Sequence, residues 1–210
     1  MKHFVILTLF KEMFDAFLLS RAVKTAIDKK VIGIDVLDIR NFSLDKHKRV
    51  DFPPYGGGSG MIISPEPLSR AIDFSIDMLS KKSCDKIKIL YMSPRGKLLN
   101  YNISKSVSED ECNYIIICGH YEGIDERIIE EYNVTELSIG DYVLTGGELA
   151  SQVLLDSVVR LIPGILSANA LDEESHTNKL LEYPQYTKPY DFRGRKVPEI
   201  LISRKSPKNT

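Results

Sequence analysis

The sequence predicts an α/β fold in which a parallel β-sheet carries helices on both faces. Short runs of β-branched residues alternate with segments of helical periodicity, as in repeated βαβ units. Glycine or proline follows nearly every predicted strand. With 210 residues, of which 43% are hydrophobic, the chain can form one substantial core and a small second lobe.

The elements follow one another in βαβ order. Strands are predicted at 4–10, 32–39, 86–92, 114–120 and 134–139. Between the first two strands, one helical face is marked by Phe14, Leu18, Ala22 and Ala26. A further helical pattern covers 124–132. After Pro163 the periodicity weakens, and 167–179 is polar and acidic, which predicts a flexible interdomain linker.

Composition excludes several classes of protein. A charged fraction of 27% and a net charge of −1 give no global signature of a nucleic-acid partner or of disorder. Cys84, Cys112 and Cys118 form neither a CxxC pair nor an even disulfide framework, so a reducing, cytoplasmic compartment is expected. No apolar stretch approaches the roughly 18 residues that a membrane-spanning helix needs, and no signal peptide is expected.

Three glycine-containing loops are candidates for a ligand site, because ligands of parallel sheets bind beyond the carboxyl ends of the strands. The loop at 55–61 lacks the lysine of a phosphate loop and the third glycine of a dinucleotide loop, so close backbone approach and a plain hinge are equally good interpretations. The loop at 118–127 offers free backbone amides and Glu122. The loop at 138–148 suits a flat heterocycle held between apolar walls.

Other charged residues have ordinary interpretations. Asp125, Glu126 and Arg127 are typical of a helix start with a solvated ion pair. Arg160 follows Asp156 by four residues on a predicted helix, which is the spacing of an ordinary surface ion pair. Leu149, Val153 and Val159 of this helix are expected to face inward. No catalytic metal site is predicted, because the spacing of the four histidines is not that of metal ligands; they are His3, His47, His120 and His176.

Five segments together resemble one family. They are 55–61 (YGGGSGM), 91–96 (YMSPRG), 118–127 (CGHYEGIDER), 138–148 (SIGDYVLTGGE) and 180–189 (LLEYPQYTKP). In order and spacing they are similar to the bacterial tRNA (guanine-N1)-methyltransferases, of the knotted SPOUT class, over residues 4 to about 201. The resemblance implies a C-terminal trefoil knot in a domain over 1–166, the linker at 167–179, and a remnant of the tRNA-binding domain over 180–210.

The resemblance also implies a methyl donor, S-adenosylmethionine. The residues implied to hold it are Tyr91, Met92, Ser93, Pro94, Gly119, Ile139, Gly140, Asp141, Tyr142, Val143, Leu144, Gly146 and Gly147. Glu174 stands where the family has its catalytic aspartate, and Arg160 matches the catalytic arginine. Asp51, Glu122 and Ser175 are implied to contact the substrate.

The family's partners are tRNA and a second copy of the chain, in an antiparallel homodimer whose active sites are shared between subunits. Magnesium assists some members, although no ligand set is readable in this sequence. In this chain, 202–210 replaces the longer tRNA-gripping helical domain, so a truncated C-terminal extension is expected. The alternatives are a truncated, catalytically impaired cofactor- and RNA-binding relic, a ribose 2′-O-methyltransferase on the same knot, and a nicotinamide dehydrogenase, against which the missing GxGxxG turn argues.

Overall fold

The computed structural model describes residues 1–82, 84, 86–166 and 184–203. Its contacts divide the chain into two compact units, Met1–Leu171 and Asp172–Thr210. The predicted linker at 167–179 lies outside the described residues. Within the described ranges, no helix is long and apolar enough to cross a membrane.

Strands and helices alternate along most of the described chain. The strands are β1 Lys2–Thr8, β2 Ile32–Asp38, β3 Asp51–Phe52, β4 Ile62–Ile63, β5 Ile87–Leu98, β6 Asn113–Cys118, β7 Thr135–Ser138, β8 Asp191–Phe192 and β9 Arg195–Lys196. The α-helices are α1 Asp15–Leu18, α2 Arg21–Asp28, α3 Pro65–Ser80, α4 Tyr101–Glu109, α5 Glu126–Glu131, α6 Glu148–Val159 and α7 Glu199–Ser203. Short 3-10 helices lie at Lys11–Phe14 and Ile39–Phe42.

The main sheet of the first unit has five strands in the order β2-β1-β6-β5-β7, and every pair is parallel. Side chains alternate between the faces of a strand, so Phe4 and Ile6 of β1 pack in one core, whereas Val5 and Leu7 pack in another. Helices α2, α4 and α6 supply buried residues to the first core, and α3 and α5 supply the second. The predicted α/β class with helices on both faces is confirmed.

The helical segment after β1 differs from the prediction. Instead of one continuous helix there are a 3-10 turn, α1 and α2, because Ser20 adopts an extended conformation, with φ −60° and ψ 147°, before α2 begins. The helical period restarts at this break. As a result Val23 is buried, where the continuous pattern had placed Ala22.

Strand β5 does not end at Met92 as predicted but continues through the Ser-Pro-Arg-Gly segment to Leu98. Leu137 of β7 pairs with both Met92 and Lys97, so the intervening residues form an irregularity in β5. A Cβ atom on Gly96 would lie 2.5 Å from the backbone of Glu136 and Leu137. This segment therefore runs beside β7 at backbone contact distance, which glycine at position 96 permits.

Helix α6 corrects one expectation. Val159 is buried as expected, but Leu149 and Val153 are 50% and 47% exposed. These two residues are four positions apart and so share one face of the helix. In the single chain, α6 therefore presents an apolar face to solvent.

An ion-pair network stabilises the amino ends of the strands. Asp110, at the end of α4, accepts hydrogen bonds from Lys2 Nζ at 2.8 Å, from Lys88 Nζ at 2.7 Å and from the Tyr114 hydroxyl. Burial opposes ionisation of Asp110, but these hydrogen bonds outweigh it, so the pKa of Asp110 lies well below its usual range. The network stabilises the folded state fully at pH values above about 3.9, the pKa of aspartate in an unfolded chain. This stabilisation is lost as the pH falls from there toward the lower pKa of Asp110 in the folded protein.

We expect Asp110→Asn to lower the free energy of unfolding by about 1–2 kcal/mol at pH 7, because charge-assisted hydrogen bonds are lost. The difference from the parent should shrink below about pH 4, where Asp110 begins to protonate in the unfolded chain but stays ionised in the folded protein. Urea unfolding at pH 7 and pH 3 measures both quantities. The matched control is Asp77→Asn, which breaks an exposed helix pair with Lys81. It should cost less than about 0.5 kcal/mol, and an equal cost for the two variants would contradict this account.

The described part of the second unit is small. Strands β8 and β9 form an antiparallel pair, and the Val197 N–H donates to the Tyr190 carbonyl at 3.0 Å. Helix α7 follows. The large apolar side chains of this part are mostly exposed, among them Tyr186, Tyr190, Phe192, Ile200, Leu201 and Ile202.

A candidate ligand-binding site at the carboxyl ends of the strands

The middle of β5 and the loops after β6 and β7 line an open cavity. Its mixture of apolar side chains and backbone groups is typical of small-molecule sites. The lining residues are Tyr91, Met92, Ser93, Pro94, Gly119, His120, Tyr121, Glu122, Gly123, Leu137, Ser138, Ile139, Gly140, Tyr142, Val143, Leu144, Thr145, Gly146, Gly147 and Ala150. The cavity lies where parallel sheets bind their ligands.

Two of these loops touch through their backbones. The Gly147 N–H donates to the Gly119 carbonyl at 2.8 Å, and His120 forms an isolated bridge with Gly146. A Cβ atom on Gly147 would lie 2.8 Å from Cys118 Cα, and one on Gly119 would lie 2.7 Å from the Tyr91 ring. Glycine at these positions therefore keeps open a cradle into which a flat ligand fits.

The first half of the loop after β7 supplies an apolar wall. The Ser138 hydroxyl accepts a hydrogen bond from the Gly140 N–H at 3.2 Å, and the Tyr142 N–H donates to the Gly140 carbonyl at 2.9 Å. These bonds fix the turn that carries Tyr142 and Val143, which are 55% and 82% exposed. Apolar side chains held open in this way can cover a heterocycle while the backbone groups bind its polar edge.

Two potential nucleophiles near the cavity are unreactive at neutral pH. Burial raises the pKa of the Tyr91 hydroxyl. Burial also raises the pKa of the Cys118 thiol, whose sulfur lies 3.1 Å from the Ser151 hydroxyl. Both groups stay protonated, so the site is built for binding and positioning a reactant rather than for covalent catalysis by these side chains.

The glycine-rich loop connects β3 to β4, and this hairpin lies against the loop after β6. The Glu122 N–H donates to the Met61 carbonyl at 2.9 Å, and the Ile63 N–H donates to the Gly123 carbonyl at 3.0 Å. A Cβ atom on Gly60 would meet the Glu122 side chain at 2.5 Å. At Gly60 the interpretation as a close backbone approach is therefore supported, and Glu122 is held at the rim of the cavity.

Of the thirteen residues predicted to bind the methyl donor, all but Asp141 line this cavity. Asp141 is exposed beside it, and Glu122 lines it. Asp51 is half-buried in the neighbouring hairpin, opposite Ile63. Glu174 and Ser175 lie outside the described residues. The roles of these residues stay predictions.

Arg160 is not among the residues that line the cavity. It follows the last residue of α6, whose Ala150 lines the cavity. At about 1.5 Å of rise per residue, the ten steps from Ala150 to Arg160 span roughly 15 Å along the helix axis. The catalytic role of Arg160 stays a prediction.

Seven lining residues were not predicted. They are His120, Tyr121, Gly123, Leu137, Ser138, Thr145 and Ala150. All except Leu137 and Ala150 stand within the loop segments at 118–127 and 138–148, so the signal for them was present. Leu137 carries no signal, because a buried strand residue looks the same whether or not a cavity lies beside it.

The prediction that Asp125, Glu126 and Arg127 begin a helix and form a solvated ion pair is confirmed. Asp125 caps α5 by accepting a hydrogen bond from the Arg127 N–H at 3.0 Å, and it pairs with the Arg127 guanidinium at 2.8 Å. The hydrogen bond from Arg127 lowers the pKa of Asp125. Glu126 pairs instead with Arg95 at 2.5 Å.

Among the residues that the structure describes, no group of three or more histidine, cysteine, aspartate or glutamate residues could hold a metal ion.

Comparison with known proteins decides the family. The family model described as tRNA (Guanine-1)-methyltransferase TrmD matches residues 1–208. The chain belongs to the TrmD family. It is 49% identical over 201 residues to the tRNA (guanine-N(1)-)-methyltransferase of Ruminiclostridium cellulolyticum, covering 95% of this chain and 84% of that protein. With the enzyme of the same name from Treponema denticola it shares 46% identity over 201 residues, covering 96% and 79% of the two chains.

A solved structure of a TrmD-type enzyme has the same fold. The crystal structure of tRNA (m1G37) methyltransferase from Aquifex aeolicus matches with a TM-score of 0.79 at 35% identity, covering 96% of this chain and 83% of that one. The resemblance to the TrmD family drawn from the five sequence segments is confirmed. The family match runs to residue 208 and so includes the tail in which a departure was expected.

Proposed function

We propose that this protein transfers a methyl group from S-adenosylmethionine to N1 of guanosine 37 in tRNA. Two observations support the proposal. The TrmD family match spans residues 1–208, and of the thirteen residues that the resemblance implies for the methyl donor, all but Asp141 line a single cavity. Family membership alone would give the reaction class, and the cavity alone would give only a ligand site.

The residues around the cavity fit the methyl donor. Its adenine suits the apolar wall of Ile139, Tyr142 and Leu144, and the backbone of Gly119 and Gly147 suits the polar groups of its sugar and amino acid. When bound, S-adenosylmethionine supplies an electrophilic methyl group for in-line displacement. Cysteine and tyrosine near the cavity remain protonated and leave this chemistry undisturbed.

The chain must supply a base and a cation for the acceptor. Guanine N1 carries a proton at neutral pH, so a carboxylate has to accept that proton as the methyl group arrives. We assign this role to Glu174. Negative charge that develops on O6 needs a cation, which we assign to Arg160, while Asp51, Glu122 and Ser175 orient the guanine. Magnesium remains part of the family expectation, and no step is assigned to it.

We further propose a homodimer with shared active sites. Two features of α6 support it: Arg160 lies roughly 15 Å along the helix axis from the cavity of its own chain, and Leu149 and Val153 form an exposed apolar face. Covering that face with a second copy would bury apolar area and could bring the partner's arginine to the cavity.

We also propose the trefoil knot that the resemblance implies. Residues 93–99 run beside β7, where Gly96 approaches the β7 backbone and the Leu99 N–H donates to the Ser138 carbonyl at 2.7 Å. After β7 the chain passes through the cavity loop to α6, and the Gly147 N–H just before α6 donates to the Gly119 carbonyl beyond β6. These close backbone contacts between loops that are distant in the sequence support the proposal of a threaded chain.

Transfer of a labelled methyl group tests the function. Unmodified tRNA transcripts with guanosine or adenosine at position 37 are incubated with the protein and labelled S-adenosylmethionine. We expect incorporation into the guanosine transcript and only background incorporation into the adenosine transcript. Binding of S-adenosylmethionine without transfer to either transcript would instead support the impaired, relic form of the enzyme.

A further inference from the structure

A buried carboxylate lies behind the glycine wall of the cavity. Glu148 begins α6 and is only 2% exposed. Its Oε1 atom accepts a hydrogen bond from the Thr8 hydroxyl at 2.7 Å, and that hydroxyl in turn accepts one from the Phe10 N–H at 2.9 Å. The end of β1 therefore holds the buried carboxylate of Glu148 in place.

The carboxylate lies directly beside two residues that line the cavity, Gly146 and His120. Gly146 lines the cavity, and a Cβ atom on Gly146 would collide with Oε2 of Glu148 and with Nδ1 of His120. A side chain at position 146 would push the carboxylate away. The absence of one lets the charge of Glu148 act on whatever occupies the cavity at short range.

The surroundings of Glu148 complement a carboxylate. The group lies at the amino end of a twelve-residue helix, which is the positive end of the helix dipole. Its Oε1 atom also accepts the hydrogen bond from Thr8. The His120 Nδ1 atom is 4.0 Å from Oε2, too far for a hydrogen bond, and among the described residues it has no hydrogen-bond partner. The imidazole therefore does not neutralise the carboxylate through a hydrogen bond.

We propose that Glu148 is the residue by which this site distinguishes the cationic methyl donor from its neutral product. In the proposed reaction the methyl carbon breaks its bond to sulfur and forms one to guanine N1, which loses its proton to a base. The sulfonium takes up the bonding electron pair and becomes an uncharged thioether. A fixed negative charge attracts the sulfonium but not the thioether, so it strengthens donor binding and favours product release.

This inference rests on the proposed function, and equilibrium binding tests it without turnover. Dissociation constants for S-adenosylmethionine and S-adenosylhomocysteine are measured calorimetrically for the parent protein and for Glu148→Gln, which removes the charge at constant shape. We expect the constant for the sulfonium ligand to rise about tenfold or more and that for the thioether to change less than about threefold. Glu148→Asp, which keeps the charge, should retain preference for the sulfonium ligand.

The matched control is Asp156→Asn, which removes an exposed negative charge from the same helix and should leave both dissociation constants unchanged. Equal weakening of both ligands by Glu148→Gln would show a merely structural role and overturn the inference. If Glu148→Gln does not fold, the parent protein still decides, because equal affinity for the two ligands would also overturn it. Failure of the parent to bind either ligand would count against the proposed function itself.

Discussion

Replacing Gly147 by alanine should raise the dissociation constant for S-adenosylmethionine about a hundredfold, the equivalent of an overpacking cost of ~3 kcal/mol. Gly147 has φ −82° and ψ −5°, a conformation that alanine adopts without strain. The obstacle is steric, since the new Cβ atom would lie 2.8 Å from Cys118 Cα and 3.0 Å from the Gly119 nitrogen. The two loops would have to separate, which would widen the cradle. Calorimetric titration measures the loss.

Gly164→Ala is the control for this substitution. Gly164 has φ +83°, so alanine is strained there, but no atom lies within 4 Å of the added Cβ. This variant should lose about 1 kcal/mol of stability or less and bind S-adenosylmethionine as the parent does. Thermal unfolding of both variants separates loss of the site from loss of the fold. A folded Gly147→Ala variant with parental affinity would show that the loop contact does not shape the binding site.

Replacing Arg160 by alanine should lower kcat for methyl transfer by a factor of about a hundred to a thousand. Binding of S-adenosylmethionine should be unchanged, because the proposed role of Arg160 is to stabilise charge on O6 of the guanine during transfer and not to bind the methyl donor. If active sites are shared, coexpressing the Arg160→Ala and Gly147→Ala chains should restore activity. If the two chains pair at random, about half of the dimers contain one chain of each variant. Each of these mixed dimers has one active site with both Gly147 and Arg160 intact, so we expect roughly a quarter of the parental activity.

The complementation experiment has an opposite outcome for the alternative arrangement. If Arg160 served the cavity of its own chain, every site in a mixed dimer would carry one defect, and no activity would return. Each variant expressed without the other gives the background activity. Measuring the molar mass by light scattering shows whether dimers have formed. A mixture no more active than the two single variants, in a sample that is dimeric, would contradict shared active sites.

Much of the fold followed from local patterns in the sequence. The parallel sheet was predictable because β-branched runs of the right length alternate with helical segments, and the position of the cavity followed from glycines at the ends of β6 and β7. The methyl-donor positions came from the resemblance and not from the patterns. Both routes lead to the same loops because backbone access is what the ligand requires.

The misplaced details have physical reasons. Ser20 breaks the helical segment after β1 through its backbone conformation, which apolar spacing does not encode. The extension of β5 through Pro94 depends on pairing with β7, a strand about forty residues away in the sequence. Leu149 and Val153 were predicted to face the core because apolar residues at helical spacing usually mark a buried face, but both are exposed in the single chain. The spacing does not show whether the core of the same chain or another chain would bury such a face. A subunit interface and a core give the same pattern.

Glu148 illustrates what sequence alone hides. An acidic residue at the first position of a helix is ordinarily explained by the helix dipole, and that explanation remains correct for Glu148. The sequence did not indicate that the side chain is buried, accepts a hydrogen bond from Thr8 and lies beside Gly146, which lines the cavity. These facts depend on contacts between β1 and α6, which are separated by about 140 residues in the sequence.

Identifying the modified nucleoside shows which atom of the tRNA receives the methyl group. A tRNA transcript with guanosine at position 37 is incubated with the protein and S-adenosylmethionine, digested to nucleosides and separated by liquid chromatography with mass detection. We predict N1-methylguanosine, located at position 37 by fragment mapping. A methyl group on a ribose oxygen or on another base, or no methyl group despite demonstrable binding of S-adenosylmethionine, would contradict the proposed reaction.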